Sequence, residues 1–122
     1  MTEIQITDAE LEIMKVLWSE PAGMTTGDIR NKLNRDWERT TVLTLLSRLT
    51  EKGAVSAEKE NRSFLYRSLI SKEAYGLNRT RSILHSLYNG SIKGMMAALC
   101  SSGDLTAEEL RELYETLDKG GQ

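Results

Sequence analysis

The stretch that decides the fold is RTTVLTLLSRLTEKG, residues 39–53. Its apolar residues recur at i, i+3, i+4 and i+7, which places them on one side of a helix: Val42, Leu45, Leu46 and Leu49. The opposite side carries mostly short polar groups, flanked by Arg48: Thr40, Leu43, Thr44, Ser47 and Glu51. An ordinary solvated helix face is richer in Glu, Lys and Gln, because they are better helix formers than Thr and Ser.

This hydroxyl-rich face has two interpretations. Short hydroxyl side chains with one leucine and one arginine suit a surface that presses on base edges in a DNA major groove. The alternative is a solvated amphipathic helix that happens to be rich in threonine. The helix by itself does not favour either interpretation.

The distribution of charge favours DNA. The chain has a net charge of −2, and residues 1–29 carry one basic group against six acidic ones. Residues 30–67 carry nine basic groups against five acidic ones, and residues 68–122 carry six against seven. Because the local field attracts a phosphate backbone, the positive segment that contains the hydroxyl-faced helix favours a nucleic-acid partner.

Length and composition set broad limits on the protein. A chain of 122 residues fits one domain, or one small domain plus an oligomerisation arm. It is long enough to bury a hydrophobic core without a stabilising disulfide or metal ion. Cys100 is the single cysteine, which excludes an internal disulfide and makes the reducing cytoplasm the expected compartment. Because no leader pattern and no run of 18 apolar residues occurs, we expect a soluble protein that does not insert into membranes.

The sequence predicts no enzyme, no metal site and no cofactor. His85 is the only histidine, whereas a metal site needs three or four ligands and a nucleophile needs a base and an orienting group. The glycines Gly90 and Gly94 match neither nucleotide-binding pattern. We expect His85 on a helix face and Cys100 as a small buried hydrophobe, with redox sensing as the alternative for Cys100.

Two helices are predicted before the hydroxyl-faced helix. The first spans residues 6–20, where Thr7 or Asp8 can cap it and Glu10 stands in capping-box register with Thr7. Its expected buried stripe contains Leu11, Met14, Leu17 and Trp18. The second begins at Thr25 and Thr26, and three such helices form a helix-turn-helix arrangement. Trp37, just before the third helix, is expected to pack into the core or to lie against a DNA backbone.

Beyond Gly53, which suits a helix end, the period changes to two. Residues 54–60 and 63–70 form two extended runs, and Asn61-Arg62 is at the turn between them. A hairpin directly after such a helix is a wing, and its tip would place Lys59 and Arg62 on phosphates. The alternative is a solvated hairpin with ordinary surface charges.

Three more helices are predicted after Ser71: one to about Tyr88, one capped by Ser91 and one opened by a Thr106–Glu109 capping box. Residues 101–103 form a loop, and residues 120–122 fray. The apolar stripes are narrow and imply a partner: Ile83, Leu84, Leu87, Tyr88, Ile92, Met95, Met96, Leu99, Leu110, Leu113, Tyr114 and Leu117. We expect a symmetric homodimer, since two half-sites about 34 Å apart need two helices. The alternative is that these helices fold back onto the first seventy residues.

The predicted fold class is therefore mainly α with a small β-hairpin. Residues 1–70 form a winged helix-turn-helix DNA-binding domain, and residues 71–122 form a helical dimerisation region.

The chain resembles a known family of regulators along nearly its whole length. The matching stretches are ITDAELEIMKVLW at 6–18, WERTTVLTLLSRLTEKGAV at 37–55, FLYRSLIS at 64–71, NGSIKGMM at 89–96 and DLTAEELRELYETLDK at 104–119. They are similar to the penicillinase-repressor family, the BlaI/MecI/CopY type of bacterial winged-helix repressors.

The resemblance implies a dimer that sits on a short palindromic DNA operator and blocks transcription. In that family a membrane-bound sensor with a metalloprotease domain responds to a β-lactam, and its signal leads to cleavage of the repressor in the C-terminal helical region. Carried over by position, the DNA-contacting residues are Thr40, Thr41, Thr44, Ser47, Arg48 and Arg62.

This chain departs from the family pattern at three points. Ala98-Leu99 stands where penicillinase repressors carry the scissile Asn-Phe pair, so the candidate cleavage region lacks that pair, and induction is expected either by proteolysis there or by another signal. Cys100 replaces the cysteine cluster of the copper-responsive branch, so copper sensing is not expected. Leu43 stands where some relatives carry a polar residue, so the operator sequence is expected to differ. The alternative function is a winged-helix module that binds another protein through the third helix and the C-terminal stripe.

Overall fold

The computed structural model describes residues 4–120. Within them the element order is α1 Asp8–Trp18, α2 Thr26–Lys32, α3 Arg39–Glu51, β1 Val55–Glu60, β2 Ser63–Ser68, α4 Lys72–Tyr88, α5 Ile92–Ser102 and α6 Ala107–Gly120. The chain divides into two compact units between Leu77 and Asn78, so the first turns of α4 belong to the N-terminal unit. The mainly α fold with one hairpin is confirmed, whereas the functional division after residue 70 stays a prediction.

The helices begin where local hydrogen bonding satisfies their free N–H groups. Thr7 caps α1: its Oγ1 accepts from the backbone N–H of Glu10 at 3.2 Å, and its own N–H donates to Glu10 Oε1 at 2.9 Å. Thr25 caps α2 and Ser71 precedes α4 in the same way. The predicted caps of α5 and α6 are also present, at Ser91 and at the Thr106–Glu109 pair.

The core of the N-terminal unit lies between α1, α2, α3 and the hairpin. Its buried apolar residues are Ile13, Met14, Leu17, Met24, Ile29, Leu33, Val42, Leu45, Leu46, Leu49, Ala54, Val55 and Tyr66. All four apolar residues predicted for the inner side of α3 are among them.

The expected stripe on α1 is partly wrong. Ile13 and Glu10 are buried beside Met14 and Leu17, whereas Leu11 and Trp18 are only half-buried. The Trp18 indole N–H donates to the carbonyl of Ile70 at 3.0 Å, and its ring lies 6.0 Å from that of Tyr75. Trp18 therefore stays at the rim of the core, because its N–H has a polar partner there.

The hairpin is a regular antiparallel pair from Val55↔Ser68 to Glu60↔Ser63. Asn61 adopts a left-handed conformation, φ 55°, which asparagine tolerates better than most residues, so the Asn61-Arg62 turn is confirmed. The short extended piece predicted near Met24 pairs with Tyr66 on the other edge of β2 through two backbone hydrogen bonds of 2.9 and 2.8 Å.

The C-terminal unit contains the end of α4 together with α5 and α6. Asn89 and Gly90 have φ values of 52° and 83° and break the helix as predicted. Two boundaries were wrong: α5 continues through Ser102 and ends at Gly103, and Gly120 is still helical. The expected fraying at residues 121 and 122 lies outside the described residues. Neither α4, α5 nor α6 has a buried residue, and Cys100 is exposed, contrary to its expected burial.

Candidate nucleic-acid interface

The packing of α3 determines which of its residues face outward. Val42, Leu46 and Leu49 have no solvent exposure, and Leu45 is also buried, so the inner side is fully used by the core. The opposite side brings the predicted DNA-contacting residues of α3 together. Thr40, Thr41, Thr44, Ser47 and Arg48 are exposed, and Leu43 is half-buried.

Not every hydroxyl on this outer face is available to a ligand. Thr44 Oγ1 donates to the carbonyl oxygen of Thr40, one turn earlier, at 2.9 Å. Thr40 and Ser47 make no side-chain hydrogen bond to any residue in the range 4–120, so their hydroxyl groups keep both donor and acceptor capacity.

The wing stands beside α3 and leaves a cleft between them. This cleft has a volume of about 520 Å³ and is lined by residues from α2, α3, the hairpin turn and β2, including Arg39, Leu43, Arg62 and Phe64. Phe64 is 45% exposed, and Lys59 Nζ lies 5.8 Å from the centre of its ring. The predicted wing-tip residues Lys59 and Arg62 are therefore on the same side of the unit as the outer face of α3.

Apart from Lys59, which lies near the Phe64 ring, the basic residues of the positive segment fall into two groups, and the first serves the fold. Arg30 Nε donates to the Trp37 carbonyl at 3.0 Å, and Arg35 pairs with Glu12 at 3.3 Å. Lys52 and Arg67 also have acidic partners. Trp37 is half-buried and packs against the core, with Arg35 5.6 Å from its ring, and its contact with a DNA backbone stays a prediction.

The second group has no such partner. Within the part of the chain that the structure describes, the side chains of Lys32, Arg39, Arg48 and Arg62 make neither an ion pair nor a hydrogen bond. Arg39, the first residue of α3, did not appear among the sequence-predicted site residues. The position of Arg39 in the sequence could have identified it as a site residue, because the first residues of a recognition helix are the ones that contact base edges.

Glu10 and Lys52 fix the end of α3 against the start of α1. Lys52 Nζ donates to Glu10 Oε1 and to the carbonyl of Gln5 at 2.6 Å, while Glu10 is only 1% exposed. Burial would raise the pKa of Glu10, but hydrogen bonds from Lys52 and Thr7 outweigh it and hold that pKa below the usual value of a glutamic acid. The ionised carboxylate therefore stabilises the helix that carries the candidate surface.

The described residues form neither a metal-binding cluster nor a membrane-spanning helix. Among residues 4–120 no three His, Cys, Asp or Glu side chains are grouped so that they could hold a metal ion. Nor does that part of the chain contain a helix long and apolar enough to cross a membrane.

Comparison with known proteins identifies the family. The profile of the penicillinase repressor family matches residues 6–119. The chain belongs to the penicillinase repressor family. This is a family of transcriptional repressors and not of enzymes, in agreement with the lack of a catalytic constellation in the sequence.

Individual members are similar over most of their length. A penicillinase repressor from Bacillus licheniformis is 36% identical over 117 residues, which cover 94% of this chain and 91% of the relative. The methicillin resistance regulatory protein MecI from Mammaliicoccus sciuri is 28% identical over 116 residues, with 94% of each chain covered.

Two solved structures resemble about three-fifths of the chain. The solution structure of the DNA-binding domain of the repressor BlaI is 40% identical, with a TM-score of 0.54, and covers 62% of this chain and 94% of that one. The Bacillus licheniformis BlaI monomeric form in complex with the blaP half-operator has the same identity and coverage and a TM-score of 0.52. The expected winged-helix fold is thereby confirmed.

Proposed function

We propose that this chain is a dimeric transcriptional repressor that binds a short palindromic DNA operator. The observation that carries the proposal is the outer face of α3, bordered by Arg39, Arg48 and Arg62, which make no ion pair within residues 4–120. The BlaI form solved with a half-operator is 40% identical to this chain and covers 62% of it, which supports the same use of the winged-helix fold.

In this proposal α3 lies in the major groove and the wing lies on the backbone. Arg48 contacts a base edge with its planar guanidinium group. Guanine is the base that arginine contacts most often in the major groove. The residues beside it form the rest of the base-facing surface: Thr40, Thr41, Leu43, Thr44 and Ser47. Lys59 and Arg62 contact phosphates, which set the register of the protein on the duplex without selecting a sequence.

The homodimer is proposed from the C-terminal helices. Exposed large apolar side chains are concentrated there: Ile83, Leu87, Ile92, Leu99, Leu113, Tyr114 and Leu117. Leaving so many apolar groups in water is unfavourable, and a second copy would bury them symmetrically. Such a dimer supplies one α3 helix for each operator half-site.

Release of the operator is proposed to occur by cleavage at Ala98-Leu99 through a membrane sensor protease. Both residues are exposed, but they lie inside α5, whose backbone must open locally before a protease can bind it. Cleavage there would separate α6 from the rest of the dimer surface. Mass spectrometry of the repressor after co-expression with an activated sensor would reveal fragments ending at Ala98, and an intact chain would contradict this route.

The central test is binding to the promoter region of the chain's own gene. We expect a gel shift whose affinity falls steeply as salt rises, because binding to phosphates releases counterions. A random duplex of equal length is the control. If no salt-dependent shift is seen, the protein-interaction module is the better account of the fold.

A further inference from the structure

The outer face of α3 carries one apolar side chain that the core does not bury completely. Leu43 is half-buried, whereas its neighbour Val42 has no solvent exposure. Leu43 also lines the cleft between α3 and the wing, together with Arg39 and Arg62. A leucine at this place cannot form a hydrogen bond with a base, so its contribution to binding must be apolar.

The surroundings of Leu43 reinforce this apolar character. Thr44, the next residue, uses its hydroxyl hydrogen on the carbonyl of Thr40, so it cannot donate that hydrogen to a base. The free hydroxyl groups of Thr40 and Ser47 are three residues before and four residues after Leu43, on the same side of the helix. Leu43 therefore adds an apolar group at one edge of the outer face, beside the hydroxyl groups of Thr40 and Ser47.

The charges around the cleft indicate what covers this apolar spot. Arg39 and Arg62 lie at the same cleft and make no ion pair within residues 4–120. A partner that carries negative charge next to a small apolar group would complement these two arginines and Leu43. Double-stranded DNA does so, because phosphates flank the major groove and the thymine 5-methyl is its characteristic apolar group.

We propose that Leu43 is a specificity-determining residue that contacts the 5-methyl group of one thymine in each operator half-site. The inference rests on the proposed function and adds to it the chemical group that is recognised. It predicts that binding depends on a methyl group at one defined position of the half-site, independently of hydrogen bonds to that base pair.

Replacing thymine by uracil tests the contact directly, because it removes only the methyl group. The probe is a duplex recovered by selection from a random library with the full chain, in which each thymine is exchanged in turn. We expect one position per half-site at which uracil weakens binding roughly fourfold for each methyl lost. In Leu43→Ala the same exchange should have no effect on affinity, measured by fluorescence anisotropy at constant salt.

Two matched variants serve as controls. Leu69→Ala alters a leucine that is 60% exposed and lies outside α3, so it should keep the full response to uracil. Leu11→Ala alters a half-buried leucine on α1, outside the base-facing surface, and should also keep it. Circular dichroism of Leu43→Ala should show an unchanged helix content, because the residue is only half-buried.

A second selection keeps the inference testable even if Leu43→Ala binds too weakly to measure. Leu43→Gln should change the preferred base at the sensitive position from thymine to adenine, since glutamine pairs bidentately with adenine. Uniform tolerance of uracil, a response that persists in Leu43→Ala, or an unchanged thymine preference in Leu43→Gln would overturn the inference alone. Failure of the unaltered chain to select any duplex would instead overturn the proposed repressor function.

Discussion

Arg62 and Arg67 lie five residues apart on the wing, but their side chains have different surroundings. Arg67 pairs with Glu58 across the hairpin and donates from Nε to the carbonyl of Ala22 at 3.0 Å. Arg62, at the turn, makes no such contact within residues 4–120 and lines the cleft beside α3. The sequence placed Arg62 at the tip of the wing, whereas the structural role of Arg67 follows only from its tertiary contacts.

This difference predicts opposite effects of the same substitution. Arg62→Ala should weaken binding to specific and random duplexes alike and lower the salt slope by about 1, because one phosphate contact is lost. Arg67→Ala should instead reduce the free energy of unfolding by about 1 kcal/mol through its lost hydrogen bonds. Anisotropy titrations at several salt concentrations and urea unfolding measure the two effects. Equal salt slopes for Arg62→Ala and the unaltered chain would contradict the wing contact.

Arg48 should behave differently from Arg62. If it reads a guanine, Arg48→Ala costs about 1–3 kcal/mol on the operator and relaxes the preference at one base pair. Lys15→Ala, an exposed basic residue on α1, controls for the lost charge. An equal loss of affinity on operator and random DNA would show that Arg48 contacts phosphate only.

Glu10 gives the fold a defined pH dependence. Its pKa is lowered in the folded chain, so its stabilisation is complete above the usual pKa of a glutamic acid and is lost as the pH falls through the lowered value. Glu10→Gln should cost about 1.5–3 kcal/mol near neutral pH and should flatten the loss of stability in acid. Urea unfolding at a series of pH values tests this. Glu20→Gln, at an exposed site, should keep the acid dependence of the unaltered chain.

At the scale of the elements, local chemistry predicted most boundaries. The Thr7–Glu10 and Thr106–Glu109 capping boxes need only neighbours in sequence, and so does the turn at Asn61-Arg62. Non-local partners were not predictable. The pairing of Lys52 with Glu10 joins residues 42 apart, and it explains why a glutamate occupies the buried side of α1.

For the candidate surface too, local features could be predicted from the sequence and non-local contacts could not. The residues of α3 could be placed on its outer side from the helical period alone, since that needs no knowledge of the rest of the chain. The period could not show that Thr44 is bonded back to Thr40, or that Arg39 shares a cleft with Arg62. These depend on side-chain conformation and on how the wing packs beside α3.

Two glycines at element ends should tolerate alanine differently. Gly53, after α3, has φ 84° and open space around it, so Gly53→Ala should cost about 1–2 kcal/mol from backbone strain alone. Gly23 has φ 106°, and an added Cβ would lie 2.9 Å from Leu65 Cγ. Because backbone strain and this clash add together, Gly23→Ala should lower the free energy of unfolding by about 2–5 kcal/mol. Gly27→Ala, in an uncrowded helical position, should be neutral or stabilising. Thermal unfolding gives the order, and a smaller loss at Gly23 than at Gly53 would contradict it.

At the scale of the whole molecule, the proposed dimer should depend on the apolar stripe of α6. Leu117 is 61% exposed in the single chain. Leu117→Glu would remove one buried leucine from each protomer and should weaken the dimer at least about 100-fold. Sedimentation equilibrium measures this change, and Glu115→Ala on the same helix is the control. A dimer constant unaffected by Leu117→Glu would place the interface elsewhere.

Leu117→Glu should also separate the affinity of one protomer for a half-site from the additional affinity that a dimer has for the full palindrome. Binding of Leu117→Glu to an isolated half-site should match that of the unaltered chain, while binding to the full palindrome should fall. Equal binding of both proteins to the full palindrome would show that one copy is sufficient.

The hairpin leaves one strand edge without a neighbour. Met24 covers part of the outer edge of β2, whereas β1 pairs only with β2 among the described residues. Unpaired backbone groups on an edge strand are a template for another chain, and charged side chains are a common protection against such pairing. We expect the exposed charges of Glu58, Lys59 and Glu60 along β1 to oppose such pairing between copies of the protein, so that neutral β-branched residues there should promote fibrous association.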